Sequence, residues 1–229
     1  MTYLKKIIYS LREIIISYLL EYLIIIIFCI IYKTFISNNL KYFINNHLQY
    51  ISIISLIIIT SYLYKQNKRK ESKIVFKYIP LFISIGISIS CFLNMIIFKV
   101  FTPIESTNNV SIPLIIISSG IIGPIYEEIL FRYINLHNLK KFNSPTKSII
   151  INCIIFSIIH FNIKEIIFAF ILSFIINLIY KKFNNILYPI IIHSSTNIIS
   201  LFLIEFNQSI LLLSLISIMI NYEIIRKLA

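Results

Sequence analysis

SIPLIIISSGIIGPIYEEILFRYINLH, residues 111–137, decides how this chain is read. The stretch is strongly apolar, yet Glu127, Glu128 and Arg132 fall within six residues at its centre. A charge deep in an apolar span is costly, so a chain keeps one there only if it is paired or used. On a helix Glu128 and Arg132 stand four residues apart on one face, with the acid N-terminal to the base, the favourable order. Glu127 points about 100° away and is left free for a cavity. Pro124 lacks an N–H, so the carbonyl of Gly120 loses its helical partner and a kink is expected just before the glutamates. An ion pair that only fixes helix packing is the plain alternative for Glu128 and Arg132. An unpaired intramembrane acid such as Glu127 reads as functional.

Composition extends this reading to the whole chain. Hydrophobic residues make up 58% of 229 positions and only 13% are charged; the mean hydropathy is +0.89. This is the profile of a polytopic membrane protein. Isoleucine dominates and would favour strands by propensity, but the apolar runs are long and do not alternate, so they read as spanning helices. The expected fold is all-α, an integral membrane helical bundle of about eight transmembrane helices. Residues 1–229 are expected to form a single membrane domain, with a motif-bearing core at about 111–203.

The expected spans run roughly Ile14 to Tyr32, Gln49 to Tyr64, Tyr78 to Phe98, Ser111 to His137, Thr146 to Phe161, a sixth ending at Tyr180, Ile186 to Ile204, and Ser209 to Tyr222. Pro80 and Pro113 stand in first turns, where proline is tolerated, and Ser111 is a candidate cap. Glu21 is expected to face the bundle. Thr102 to Asn109 reads as a polar loop. No cleavable signal peptide is expected, because alanine occurs only at Ala169 and Ala229.

Loop charge gives the orientation. The net charge is +12, but the cations sit in short loops, which reads as cytoplasmic retention and not as nucleic-acid binding. With eight spans, one side carries sixteen Lys and Arg and the other four. Both termini and the basic loop from Lys65 to Lys77 are therefore expected in the cytoplasm. The cysteines Cys29, Cys91 and Cys153 all lie in apolar runs and read as buried free thiols.

Two histidines also fall in spans. His160 follows Phe156 by one turn, and His193 precedes Asn197 by one turn, with Pro189 four residues before it. His47 and His137 lie in or near loops and are assigned nothing. These residue types suit amide hydrolysis. A glutamate can take a proton from water and a histidine can share it. A second histidine and an asparagine amide can donate to the oxyanion. The same donors suit zinc, with Glu127, His160 and His193 as the ligand set. Chemistry alone leaves both routes open. All nine acids are glutamates, so no aspartate-rich metal motif exists.

The order E-E-x-x-x-R, F-x-x-x-H and H-x-x-x-N, each in its own span, resembles the CPBP family of intramembrane proteases. That family is also called Abi or CAAX-protease-like, and is related to the eukaryotic CAAX prenyl endopeptidase. The resemblance covers roughly Ser111 to Leu203. It implies that Glu127 and His160 activate water, that His193 and Asn197 form the oxyanion site, and that Glu128 and Arg132 support the first glutamate. It implies a membrane-associated peptide or a prenylated or lipidated protein as substrate, in a bacterial plasma membrane, with no nucleic-acid partner. No cofactor is required by this reading, although a zinc ion or another divalent metal fits it. An accessory role in bacteriocin self-immunity, peptide export or lipoprotein modification is the alternative. A transporter would spread polar residues along a path, whereas here they cluster. Tyr133 stands where the family often has glycine after the arginine, and Ser173 and Asn177 stand among positions where it often has glycine, which bears on cavity width.

Counting 1.5 Å per residue from the cytoplasmic ends puts Glu127, His160, His193 and Asn197 roughly 13–21 Å deep. One shared cavity is expected, with access from the cytoplasmic side.

Overall fold

The structure is a computed structural model and describes residues 3–36, 40–100, 111–203 and 205–228. Among these residues there are eight helices and no strand. Helix α1 is Tyr3–Phe35 and α2 is Leu40–Gln66. A short 3-10 turn at Phe76–Tyr78 leads into α3, Ile79–Val100. Helix α4 is Ile112–Lys140, α5 is Pro145–Ile158 and α6 is Ile163–Phe183. Helices α7, Leu187–Ser200, and α8, Gln208–Lys227, complete the bundle. The expected loop from Thr102 to Asn109 lies outside the described residues.

Six of these helices are long and apolar enough to cross a membrane. The remaining two, α5 and α7, have 14 residues each. At 1.5 Å per residue that is about 21 Å, short of a hydrocarbon core about 30 Å thick. The expected spans run past these helix ends, to Phe161 in the turn after α5 and to Ile204, which lies outside the described residues. Helix α5 stops at Ile158 because the chain turns through residues 159–162, with Phe161 in the left-handed region at φ 56. Helix α7 stops at Ser200, where Leu201 and Phe202 close a turn onto Ile198 and Ile199.

Pro124 does not act as a simple break. Helix α4 stays continuous but widens to π-helical pitch at Ile116–Ile122 and again at Ile129–Asn135. The Gly123 N–H bonds to Ser118 O, five residues back, so the wide turn takes up the mismatch before the proline arrives. The second wide stretch holds Arg132 and is closed by Leu136 N–H on Phe131 O. Pro189 lies in the first turn of α7, where its missing N–H costs little.

Helix α3 packs along α7 and α8, α5 along α6, and α1 along α2, while α4 touches α1, α2 and α7. With lipid outside, close approach depends on small residues. Gly86 on α3 is the tightest such point. A Cβ there would lie 2.5 Å from the Ile192 carbonyl oxygen and 2.7 Å from Ser195 Cβ. Thr196 Oγ1 donates to Gly86 O at 3.2 Å, and Ser90 Oγ to Thr196 O at 2.9 Å. Replacing Gly86 with valine is expected to push α7 off α3 and destabilise the fold by about 1–3 kcal/mol, as overpacking does. A lower melting temperature in detergent, with a smaller loss for Gly86→Ala, is the expected reading. An unchanged melting temperature in Gly86→Val would show that the two helices are not in this contact.

Buried asparagines tie the other layer. Asn152 Nδ2 on α5 donates to Phe131 O and to Asn135 Oδ1, both at 2.9 Å. Asn177 Nδ2 on α6 donates to Asn152 Oδ1 at 3.1 Å, and Asn135 Nδ2 to Ser10 O on α1 at 2.7 Å. This chain holds the wide stretch of α4 against three neighbours. Glu21 faces the bundle and accepts from Ser52 Oγ on α2 at 3.0 Å. All three cysteines are free; Cys153 is buried, and Cys29 and Cys91 are half-buried against the expectation of full burial.

Candidate active site

Three elements bring the polar residues together. Glu127 and Glu128 sit mid-way along α4, between its two wide stretches. His160 lies in the turn after α5, and His193 and Asn197 lie one turn apart on α7. Glu127, His160, His193 and Asn197 line one cavity of about 360 Å³, with Phe156 in its wall. No histidine of this set faces away from the bundle.

The two glutamates are sorted by burial as their spacing predicts. Glu128 is fully buried, while the Glu127 side chain is 25% exposed, into the cavity. Arg132 Nε lies 3.1 Å from Glu128 Oε2, an ionic contact whose N–H is not aligned as a hydrogen bond. The guanidinium carbon stands 4.2 Å from the centre of the Phe156 ring, a cation–π contact in a desolvated setting. The same ring meets His160 edge-on at 5.2 Å and His193 at 5.8 Å. Phe156 therefore separates the arginine from the cavity and steadies both imidazoles.

Spacing alone did not show that His193 touches both carboxylates. Its Nδ1 lies 2.7 Å from Glu128 Oε1, and its Nε2 lies 3.9 Å from Glu127 Oε2. An ionised carboxylate only accepts, so Nδ1 carries the proton toward Glu128, and Nε2 is the ring nitrogen on the Glu127 side. His160 is fixed the same way. Its Nδ1 donates to Phe156 O at 3.0 Å, which leaves Nε2 as the free acceptor. The turn that carries His160 is held by its own N–H on Ser157 O and by Asn162 N–H on His160 O. Asn197 Nδ2 donates one hydrogen to Ser119 O at 2.9 Å, within the first wide stretch of α4, and keeps its second.

The donor types suit a divalent metal, and each histidine has the Nδ1 anchor that metal ligands usually have. The spacing does not. Among the described residues no three His, Cys, Asp or Glu side chains converge closely enough to hold a metal ion. Glu127, His160 and His193 share a cavity without forming a ligand cage.

The cavity opens at the end of the bundle that carries Asn162, Lys164 and Glu165, which form part of its wall together with Asn94 and Ser200. The basic loop containing Arg69 and Lys70 lies at the other end, against Asn184 and Asn185. The cavity thus lies toward the end opposite the basic loop, and not at the basic end from which access is expected. The reason is the shortness of α5 and α7, which start at the basic end and stop before the far one.

Residues 109–199 match the family model described as type II CAAX prenyl endopeptidase Rce1-like. A protein of Bacillus subtilis (strain 168) named "Putative membrane peptidase YdiL" is 33% identical over 87 residues. That match covers 38% of this chain and 36% of the relative, so the shared part spans about a third of that protein's length. No solved structure matches the chain. The family match spans the segment holding all three motifs, so residues 109–199 of this helical membrane protein are similar to the CAAX-protease-like membrane peptidases.

Proposed function

We propose that this integral membrane protein is an intramembrane endopeptidase that hydrolyses a peptide bond with water activated by Glu127. The observation that carries the reading is the chain of contacts from Glu127 and His193, which line the cavity, to the buried Glu128 and Arg132 behind them. Glu127 takes a proton from water as the water oxygen attacks the scissile carbonyl. His160 Nε2, with its lone pair free, accepts a hydrogen bond from the same water. A small movement across the 3.9 Å gap lets the proton pass from Glu127 to His193 Nε2. The resulting imidazolium keeps Nδ1–H on Glu128, whose charge Arg132 balances, and turns Nε2–H toward the oxyanion. The second amide hydrogen of Asn197 completes that site. Collapse breaks the C–N bond, and the proton returns to the leaving amine.

The orientation is read from loop charge. With the basic end in the cytoplasm, the cavity opens into the outer half of the membrane. The substrate is then a membrane peptide or lipidated protein whose scissile bond lies on that side. Fusions of a cytoplasmic reporter after Lys73 and after Lys141 are expected to be active, and a fusion near Asn109 inactive. The opposite pattern would reverse the orientation and return the cavity to the cytoplasmic side. The outward opening also favours a second reading, a role in self-immunity or peptide export in which the encountered peptide comes from outside.

The deciding experiment is cleavage of membrane peptides by purified, reconstituted protein, wild type against Glu127→Ala. Cleavage lost in the variant supports the peptidase. Cleavage equal in both assigns it to another agent.

A further inference from the structure

A second cavity of about 360 Å³ lies at the basic end of the bundle, behind the one that holds Glu127. Its wall includes Arg69, Lys70, Glu71, Arg132, His137 and Lys140. Four full cations thus meet one carboxylate there, and that carboxylate is engaged, since Glu71 Oε1 accepts from Ile186 N–H at 3.0 Å. Burial also pushes the Glu71 carboxyl above its usual range, which weakens it as a counter-ion.

Arg132 makes this more than a charged surface. It is fully buried, and its Nη1 and Nη2 have no hydrogen-bond partner. Its contacts with Glu128 and Phe156 leave those donors unused. A buried guanidinium with idle donors is costly, and the group that best satisfies its planar fork is a carboxylate or phosphate. The other cations decide between the two. Arg69 is positioned by its backbone N–H on the Tyr133 hydroxyl at 2.7 Å, and its side chain donates to Tyr133 O. Lys70 and Lys140 are exposed at the mouth. Cations on several sides of one cavity suit a tetrahedral phosphate group, whose oxygens point in different directions and can be shared among them, better than a flat carboxylate.

We propose that this cavity binds a phosphate-bearing anion, with Arg132 at its floor and Lys70 and Lys140 at its mouth. The site lies where helix α4 meets the basic loop, so the phosphate can belong to an anionic lipid headgroup or to a small soluble phosphate. The chemistry is shared, and the source is separable by experiment.

The test uses the full chain in a neutral maltoside detergent, read by thermal unfolding. One arm titrates inorganic phosphate against chloride at equal ionic strength. The other adds phosphatidylglycerol against phosphatidylcholine. Wild type is expected to melt at higher temperature with phosphate, with phosphatidylglycerol, or with both, and Lys70→Gln/Lys140→Gln to require on the order of tenfold more of the same probe. A rise with phosphate identifies a soluble anion; a rise with phosphatidylglycerol alone identifies the headgroup. No rise with either probe overturns the proposal. So does a rise of equal midpoint in wild type and variant, which would mean non-specific binding. Both lysines are exposed, so the variant is expected to fold; the single Lys140→Gln exchange, with a smaller shift in midpoint, repeats the test if it does not.

Discussion

Glu127→Gln is expected to lower cleavage by about 10²–10⁴-fold, the usual worth of a positioned general base, while protein level and melting temperature stay unchanged. Glutamine keeps the shape of the side chain and loses the lone pair that takes the proton. Its neighbours are held independently of it: His193 by Glu128, His160 by Phe156 O, and Asn197 by Ser119 O. The variant therefore isolates the chemistry from the fold. Glu127 is partly exposed to the cavity, so no buried charge is left without a partner. Rates on a reconstituted membrane peptide check the result. Full activity in Glu127→Gln would remove the glutamate from the base role and leave the cavity as a binding site.

Arg132→Ala is expected to act the other way, on the protein and not first on the rate. Arg132 and Glu128 are both fully buried. Removing one partner of a buried pair leaves the other charge uncompensated, at a cost of about 3–5 kcal/mol. Accumulation in the membrane and melting temperature should both fall. The control is Arg132→Met with Glu128→Gln, which removes both charges and leaves an amide oxygen to accept His193 Nδ1–H. That double variant is expected to recover most of the lost stability, because replacing a buried pair by neutral groups is often tolerated. If Arg132→Ala accumulates and melts as wild type does, the pair carries no stability.

The helices were legible because long apolar runs have one stable form in lipid, where the backbone must satisfy itself. The contact of Glu128 with Arg132 was legible because a four-residue spacing is local. The contact of His193 with both glutamates was not. It depends on how α7 is rotated against α4, which is set by the small residue Gly120 meeting Ile198 and by Gly86 meeting Ile192. The ends of α5 and α7 were missed for another reason. Apolar residues continue past both, at Ile159 and Phe161 and at Leu201 to Leu203, so hydropathy carries no stop signal. The wide turns of α4 were hidden too, since Pro124 announces a disturbance without saying how the backbone absorbs it.

The short helices also have a mechanical consequence for the lipid around them. Each leaves roughly 9 Å of a 30 Å core without helical backbone, and exposed Phe161 stands at the end of one of them. Acyl chains beside that region must shorten, tilt or splay to follow it, at a cost that grows with every methylene. The leaflet above the cavity is thus expected to thin there, which would shorten the path of water to the carboxylate. Bilayers of short-chain lipids fit this outline with less distortion than long-chain ones, so acyl-chain length becomes a variable of the protein's working state, set by the lipid and not by any residue.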